Sequence, residues 1–129
     1  MVKATQFCVA ILNKPGTLAR LCRSLARAKV NIAAISVNEN NECSLVRFVA
    51  SPAATARAAL TKGRFTFTTL PVLRLRLMNR PGEMARVAGR LAKSGVNINY
   101  VYGSSGDTER STLIVGAADL RRAAKALGR

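Results

Sequence analysis

The chain has 129 residues, enough for one ordinary domain or two very small ones, and 49% of them are hydrophobic, so a packed core is expected rather than disorder. The formal net charge is +15, from 21 Lys and Arg against 6 Asp and Glu, and there is no His. That balance suits steering of anionic ligands and polyanion contacts, but a soluble protein from an arginine-rich proteome accounts for the same charge and is the preferred reading, since 15 of the 21 bases are Arg. It is spread evenly, with ten bases and two acids in residues 1–64 and eleven and four in 65–129, so no basic arm or tail is expected.

The opening MVKATQFCVAILNKPG reads as a first strand and not as a leader: its apolar stretch ends at Asn13-Lys14-Pro15 without a small-residue cleavage site. No apolar run approaches the ~18 residues of a membrane helix, so no membrane is expected as a partner. The three cysteines, Cys8, Cys22 and Cys43, are odd in number and lack metal-ligand spacing. Neither a disulfide framework nor a metal site is expected. Cys8 and Cys22 fall in apolar patterns and are expected in the core. A reducing, bacterial-type cytoplasm fits these features.

The organising feature is an internal repeat. Asn13 to Ile32 (NKPGTLARLCRSLARAKVNI) and Asn79 to Ile98 (NRPGEMARVAGRLAKSGVNI) align without a gap at an offset of 66, with ten identities in twenty positions. The same offset places Val49 on Val115, and on it Arg129 falls on Gly63.

In chain order, Gln6 to Leu12 reads as a strand, with Phe7, Val9 and Ile11 on one face and Cys8 and Ala10 on the other. A Pro-Gly turn follows, then an amphipathic helix with Leu18, Leu21, Cys22 and Leu25 on its buried face and Arg20, Arg23, Ser24 and Arg27 on its solvated face. A second strand, Asn31 to Val37, a turn-rich loop, Asn38 to Glu42, and a third strand, Ser44 to Ala50, come next. A short Ala-rich helix over 53–62 and a fourth strand, Arg64 to Leu70, complete the first copy.

Pro71 is expected to separate that strand from the next, Val72 to Met78, where Leu73, Leu75 and Leu77 alternate with Arg74 and Arg76. The second copy continues with a helix burying Met84, Val87, Ala88 and Leu91. A strand, Asn97 to Gly103, a loop, Ser104 to Glu109, a strand, Arg110 to Gly116, and a helix over 119–127 follow. No counterpart of the fourth strand is found. An open sheet edge is a liability, so a strand from the first copy or from a second chain should cover it.

The order β-α-β-β-α-β is the ferredoxin-like arrangement. The expected fold class is therefore α+β: two tandem ferredoxin-like units with antiparallel sheets and helices on one face, the second lacking its last strand. The units are placed at residues 1–70 and 71–129. Each is small enough to be marginal alone, which favours mutual packing or a homodimer.

The motif that carries chemistry is Asn-x-Pro-Gly between first strand and first helix, present as Asn13-Lys14-Pro15-Gly16 and Asn79-Arg80-Pro81-Gly82. Glycine permits close backbone approach, and the unpaired N–H groups of a helix start attract a carboxylate. Lys14 and Arg80 add charge, and an Asn amide can both accept from an ammonium and donate to a carboxylate. A zwitterionic amino acid suits that set. A turn followed by a helix start explains the same residues without any ligand.

On this loop, and on the LAxxxxxLAxxxxNI-like stretch after it, the chain resembles a tandem ACT-domain protein over essentially its whole length. The resemblance implies ferredoxin-like units that bind amino acids as regulatory effectors. The effector would lie at an interface, between the Asn-x-Pro-Gly loop of one unit and the second strand of a neighbour. Carried onto this sequence, it implies ligand contacts from Asn13, Pro15, Gly16, Thr17 and Leu18 and from Asn79, Pro81, Gly82, Glu83 and Met84. From the second strands it implies Asn31 and Ile32, and Asn97, Ile98, Asn99 and Tyr100. The second copy is the more polar: Asn97, Asn99, Tyr100 and Tyr102 stand where the first has Asn31, Ala33, Ala34 and Ser36. Tyr100 and Tyr102 share a strand face and could equally be core residues.

No cofactor and no catalytic residue is expected: with no His and six scattered acids, no pair suggests acid–base work or metal ligation. Regulation then requires a separate enzyme or a sensing role. RNA binding is the alternative, because an RNA-recognition sheet has the same element order. That sheet needs exposed aromatics on its first and third strands, where this chain offers only Phe7, on the helix-facing side, and Phe48.

Overall fold

The computed structural model describes residues 1–104 and 109–128, and the expected elements recur in the expected order. They are β1 (Val2–Leu12), α1 (Thr17–Arg27), β2 (Asn31–Asn40), β3 (Cys43–Ser51), α2 (Ala53–Lys62), β4 (Thr66–Met78), α3 (Glu83–Lys93), β5 (Ile98–Ser104), β6 (Arg110–Ala117) and α4 (Leu120–Leu127). The expected loop at 104–109 falls mostly on residues 105–108, which lie outside the described residues.

Two compact units result, one of Thr5–Leu70 and the other of Met1–Ala4 together with Pro71–Arg129. In the first, β3 pairs antiparallel with β1 and with β2, and β4 flanks β1, giving the order β2-β3-β1-β4. In the second, β6 pairs antiparallel with β4 and β5. Its open flank, the liability noted above, is β4, and the neighbour there in the strand order is β1, whose first residues belong to this unit. The chain's own start thus stands where the fourth strand is missing. Pro71 does not break the chain into two strands as the sequence suggested. It lies inside the single 13-residue β4, as an exposed residue, which is compatible with proline because its missing N–H matters only where the ladder needs a donor.

Strand alternation fixes both cores. Phe7, Val9, Val46, Phe48 and Ala50 meet Leu21, Leu25, Ala56 and Leu60 in the first unit. Leu73, Leu75, Leu77, Leu113 and Val115 meet Val87, Leu91 and Ala123 in the second. Phe7 and Phe48 stack at 5.4 Å between ring centroids. Burying one large aliphatic or aromatic side chain contributes about 1.5–3 kcal/mol, so these rows dominate each unit's stability. Gln6, Val49, Val72 and Ile114 are buried too, at strand positions that alternate with the core-facing ones, so the second face of these strands is partly shielded, although Ala10 on that face of β1 is exposed and Cys8 only half-buried.

The helix faces differ from the sequence reading at their first turns. Leu21 and Leu25 are buried, but Leu18 is exposed and Cys22 only half-buried. In α3 the buried residues are Glu83, Val87 and Leu91, while Met84 is exposed. The buried positions recur every four residues, Glu83, Val87 and Leu91 in α3 and Leu21 and Leu25 in α1, so Met84 and Leu18 fall one position off that face.

Register corrects the repeat alignment. β1 pairs Phe7 with Phe48 and β4 pairs Leu73 with Val115, so Val115 corresponds to Phe48 rather than to Val49. The offset is 66 through the second strand and 67 from the third strand onward. One extra residue therefore belongs to the hairpin of the second copy. A slip of one residue would turn the core face outward; at 67 the fully buried Ala123 falls on the fully buried Ala56, and Arg129 falls on Lys62 instead of Gly63.

Candidate functional site

Both Asn-x-Pro-Gly loops fold alike. Gly16 and Gly82 adopt φ of 91° and 90°, in the left-handed region, immediately before α1 and α3. A Cβ on either would meet nothing within 4 Å, so the backbone angle and not crowding requires glycine. Each loop is tied to the hairpin beside it: the Asn13 N–H donates to the Glu42 carbonyl at 2.7 Å and the Asn79 N–H to the Glu109 carbonyl at 2.8 Å. The Asn13 amide also donates to the Asn41 carbonyl at 3.1 Å. Asn in this motif therefore has a structural task, holding loop to hairpin, before any ligand is considered.

The helix starts that follow carry no side-chain cap among the described residues. The first N–H of each helix, on Thr17 and on Glu83, turns back to the Lys14 or Arg80 carbonyl at 3.4 Å, so the N–H groups that follow, at the positive end of the helix dipole, are the ones a ligand could use. Asn13, Pro15, Gly16 and Leu18 are exposed and Thr17 is half-buried; Asn79, Pro81, Gly82 and Met84 are likewise exposed. The Thr17 hydroxyl is 2.6 Å from the Leu12 carbonyl and 3.0 Å from that of Lys14, so it stiffens the first loop from within.

The second loop differs by Glu83. Its carboxylate is nearly buried and receives the Arg80 Nε at 3.3 Å and the Arg86 Nη2 at 3.2 Å. The hydrogen bond from Arg86, aided by Arg80 and opposed by desolvation, holds this carboxyl below the ordinary carboxylate range. Sequence reasoning placed Glu83 among the ligand contacts and overlooked the two arginines that engage it. The Arg-x-x-Glu-x-x-Arg spacing, one helical turn on either side, was the available signal.

A recess of about 300 Å³ opens beside the second loop, where Asn79, Arg80, Glu83 and Met84 face Gly103, Ser104, Ser111 and Thr112. Asn97, Ile98, Asn99 and Tyr100 do not line it. The structure thus groups the loop residues of the second unit with one end of β5 and leaves the strand residues of the implied site at the other.

The strand residues occupy a bulge shared by both units. Register shifts between Ile32 and Ala34 in β2 and between Ile98 and Tyr100 in β5, so Ala33 and Asn99 are the extra residues. Asn31 and Asn97 are exposed before it, and the Asn97 amide donates to the Asn99 side-chain oxygen at 3.3 Å. Ile32 and Ile98 pack partly against the cores. Tyr100 and Tyr102 stack at 6.3 Å between centroids. Their partners Gly116 and Ile114 alternate with the core residue Val115, which puts both rings on the face away from the helices. They are therefore not core residues of this unit. Phe7 and Phe48, by contrast, are fully buried and hold each other, so neither can stack on a base.

Among the described residues no three of His, Cys, Asp and Glu come together as metal ligands, and no helix is long and apolar enough to cross a membrane. A family model described as an ACT domain pair matches residues 2–125. The protein BT0572 from Bacteroides thetaiotaomicron has a similar structure, with a TM-score of 0.91 and 25% identity over 98% of this chain and 87% of that one. The regulatory subunit of aspartate kinase from Thermus thermophilus, in its ligand-free form, matches with a TM-score of 0.70 and 17% identity over 98% and 91%. That of Thermus flavus matches with 0.68 and 18% over 98% and 90%. No curated protein matches the chain.

Proposed function

The chain belongs to the family of paired ACT domains, and on that premise we propose that it is a non-catalytic regulatory or sensor protein that binds a small, amino acid-like ligand. The ligand's carboxylate is held by the open start of a helix behind an Asn-x-Pro-Gly loop. The observation that carries this reading is the pair of uncapped helix starts behind Gly16 and Gly82, each presented by an exposed loop. Structures sharing the fold include regulatory subunits of aspartate kinase, whose role is of the proposed kind.

In this reading the complete site joins the loop of one unit to the second strand of a neighbouring ACT unit in a homodimer. Within the second unit the loop residues line a recess that Asn97, Ile98, Asn99 and Tyr100 do not reach, so a neighbour's strand must supply that half. The output is carried to a separate enzyme, in the cytoplasm.

A thermal-shift screen of the full chain against the twenty amino acids and related carboxylates tests the reading. A ligand at one hundred times its Kd stabilises the folded state by about 2.7 kcal/mol. The shift should be lost in the Asn13→Ala, Asn79→Ala double variant. If no compound raises the midpoint, or the double variant responds like the parent, the proposal fails.

A further inference from the structure

A second recess, about 460 Å³, lies between α1 and α2 of the first unit, and Arg20, Ser24, Arg27 and Lys62 line it with the Gly63 end of α2. None of the loop or second-strand residues discussed above takes part. We propose that this recess is a binding site for a small phosphorylated molecule, taken as its phosphate dianion.

Charge is the first argument. Residues 5–70 contain nine Lys and Arg and only two acids, Glu39 and Glu42. Both acids belong to the β2–β3 hairpin, which does not line the recess: Glu39 pairs with Ser44 across it, and Glu42 lies in its turn. Among the described residues Arg20, Arg27 and Lys62 have no carboxylate partner. The ends of α1 and α2 each contribute roughly −0.5 of an elementary charge at their carbonyl termini. Set against three full cations, these leave about +2, which matches a phosphate monoester above its second pKa of ~6.

Preorganisation is the second. The Arg20 guanidinium lies 4.1 Å above the centroid of the Phe65 ring, and its Nη1 donates to the Gly63 carbonyl at 3.3 Å. Ring and carbonyl fix its plane while using one of its five N–H groups, so a fork of donors is already ordered before a phosphate arrives. The Ser24 hydroxyl adds a neutral donor and Lys62 a mobile point charge. The volume falls within the usual range for small-molecule sites, so there is room for an organic moiety beside the phosphate.

The second copy supplies an internal comparison. Arg86, the counterpart of Arg20, is spent on Glu83, where the first copy has Thr17. Arg90 replaces Ser24 and Ser94 replaces Ala28. The counterpart of Arg20 is thus already engaged by a carboxylate, whereas Arg20 has none beside it among the described residues.

The test is a titration of the isotope-labelled full chain with phenyl phosphate and, separately, inorganic phosphate. Amide shifts are followed at pH 7.5 and at ionic strength held constant with sodium chloride. Saturable shifts confined to residues 20–28 and 59–65 are expected, with phenyl phosphate the tighter of the two. Arg27→Gln with Lys62→Gln should weaken binding about tenfold or more, whereas Arg90→Gln with Lys93→Gln should leave it unchanged. All four positions are on helix surfaces, and circular dichroism confirms that the variants fold. Shifts that fail to saturate, that spread over all basic residues, or that respond equally to both variant pairs would overturn the proposal and leave only a general polycation effect.

Discussion

The ring of Tyr100 lies across Gly116, its cross-strand partner, so closely that a Cβ at Gly116 would clash with the Cζ, Cε1 and Cε2 atoms of the ring. In the first unit the equivalent pair is Ala34 opposite Val49. The two units thus hold the same backbone register with the large and small members exchanged between the strands. Aromatic cover over a strand glycine compensates for its missing side chain.

It follows that Gly116→Ala should destabilise the protein although alanine is the better strand residue. The ring must leave its place, at a cost of about 1–3 kcal/mol typical of overpacking. Urea denaturation measures it. In a Tyr100→Ala background the same change should cost little or nothing, and the double-mutant cycle should show strong coupling. An equal cost in both backgrounds would mean that ring and glycine act independently.

Glu83 makes stability depend on pH in a predictable direction. Its folded-state carboxyl is held below the ordinary value of 4.5, chiefly by the Arg86 hydrogen bond. A depressed carboxyl stabilises the folded state above its unfolded pKa, and that contribution is lost as pH falls through the folded value. Glu83→Gln should therefore destabilise at pH 7, and the gap between parent and variant should narrow as the pH falls below the ordinary carboxylate value of 4.5. Urea midpoints followed down the pH scale from 7 check this; a gap that does not narrow would point to packing rather than charge.

Both first helices of the repeats end through a left-handed residue, Lys29 at φ 60° and Gly95 at φ 71°. The next N–H, of Val30 or Val96, then returns to the Leu25 or Leu91 carbonyl. Lysine bears a Cβ penalty there that glycine does not. Lys29→Gly is thus expected to stabilise by up to about 1 kcal/mol, less the extra unfolded-state entropy of glycine. Thermal denaturation of the variant should show a raised midpoint; a lowered one would mean that the Lys29 side chain itself stabilises the fold.

Most of the fold was legible in local sequence. Alternation of Leu73, Leu75 and Leu77 with arginines, the Leu21 and Leu25 spacing, and the paired Asn-x-Pro-Gly turns each encode an element within a dozen residues. The site was legible only as a residue set. Asn13 was expected to face a ligand; the structure adds that its backbone N–H and its Nδ2 hold the loop to the hairpin at Glu42 and Asn41. Glu83 proved to be half of an internal charge cluster.

By itself, then, the sequence determined the repeat, the element order and the position of both loops, because periodicity and turn chemistry act over short range. Tertiary structure alone decided that β4 runs through Pro71, that Met1–Ala4 belongs with the second unit, that the repeat offset lengthens to 67, and that Arg20, Arg27 and Lys62 share one recess. Each of these depends on which distant backbone groups and side chains meet. Strand pairing, burial and convergence of charge are set by contacts across the fold, and no local pattern encodes them.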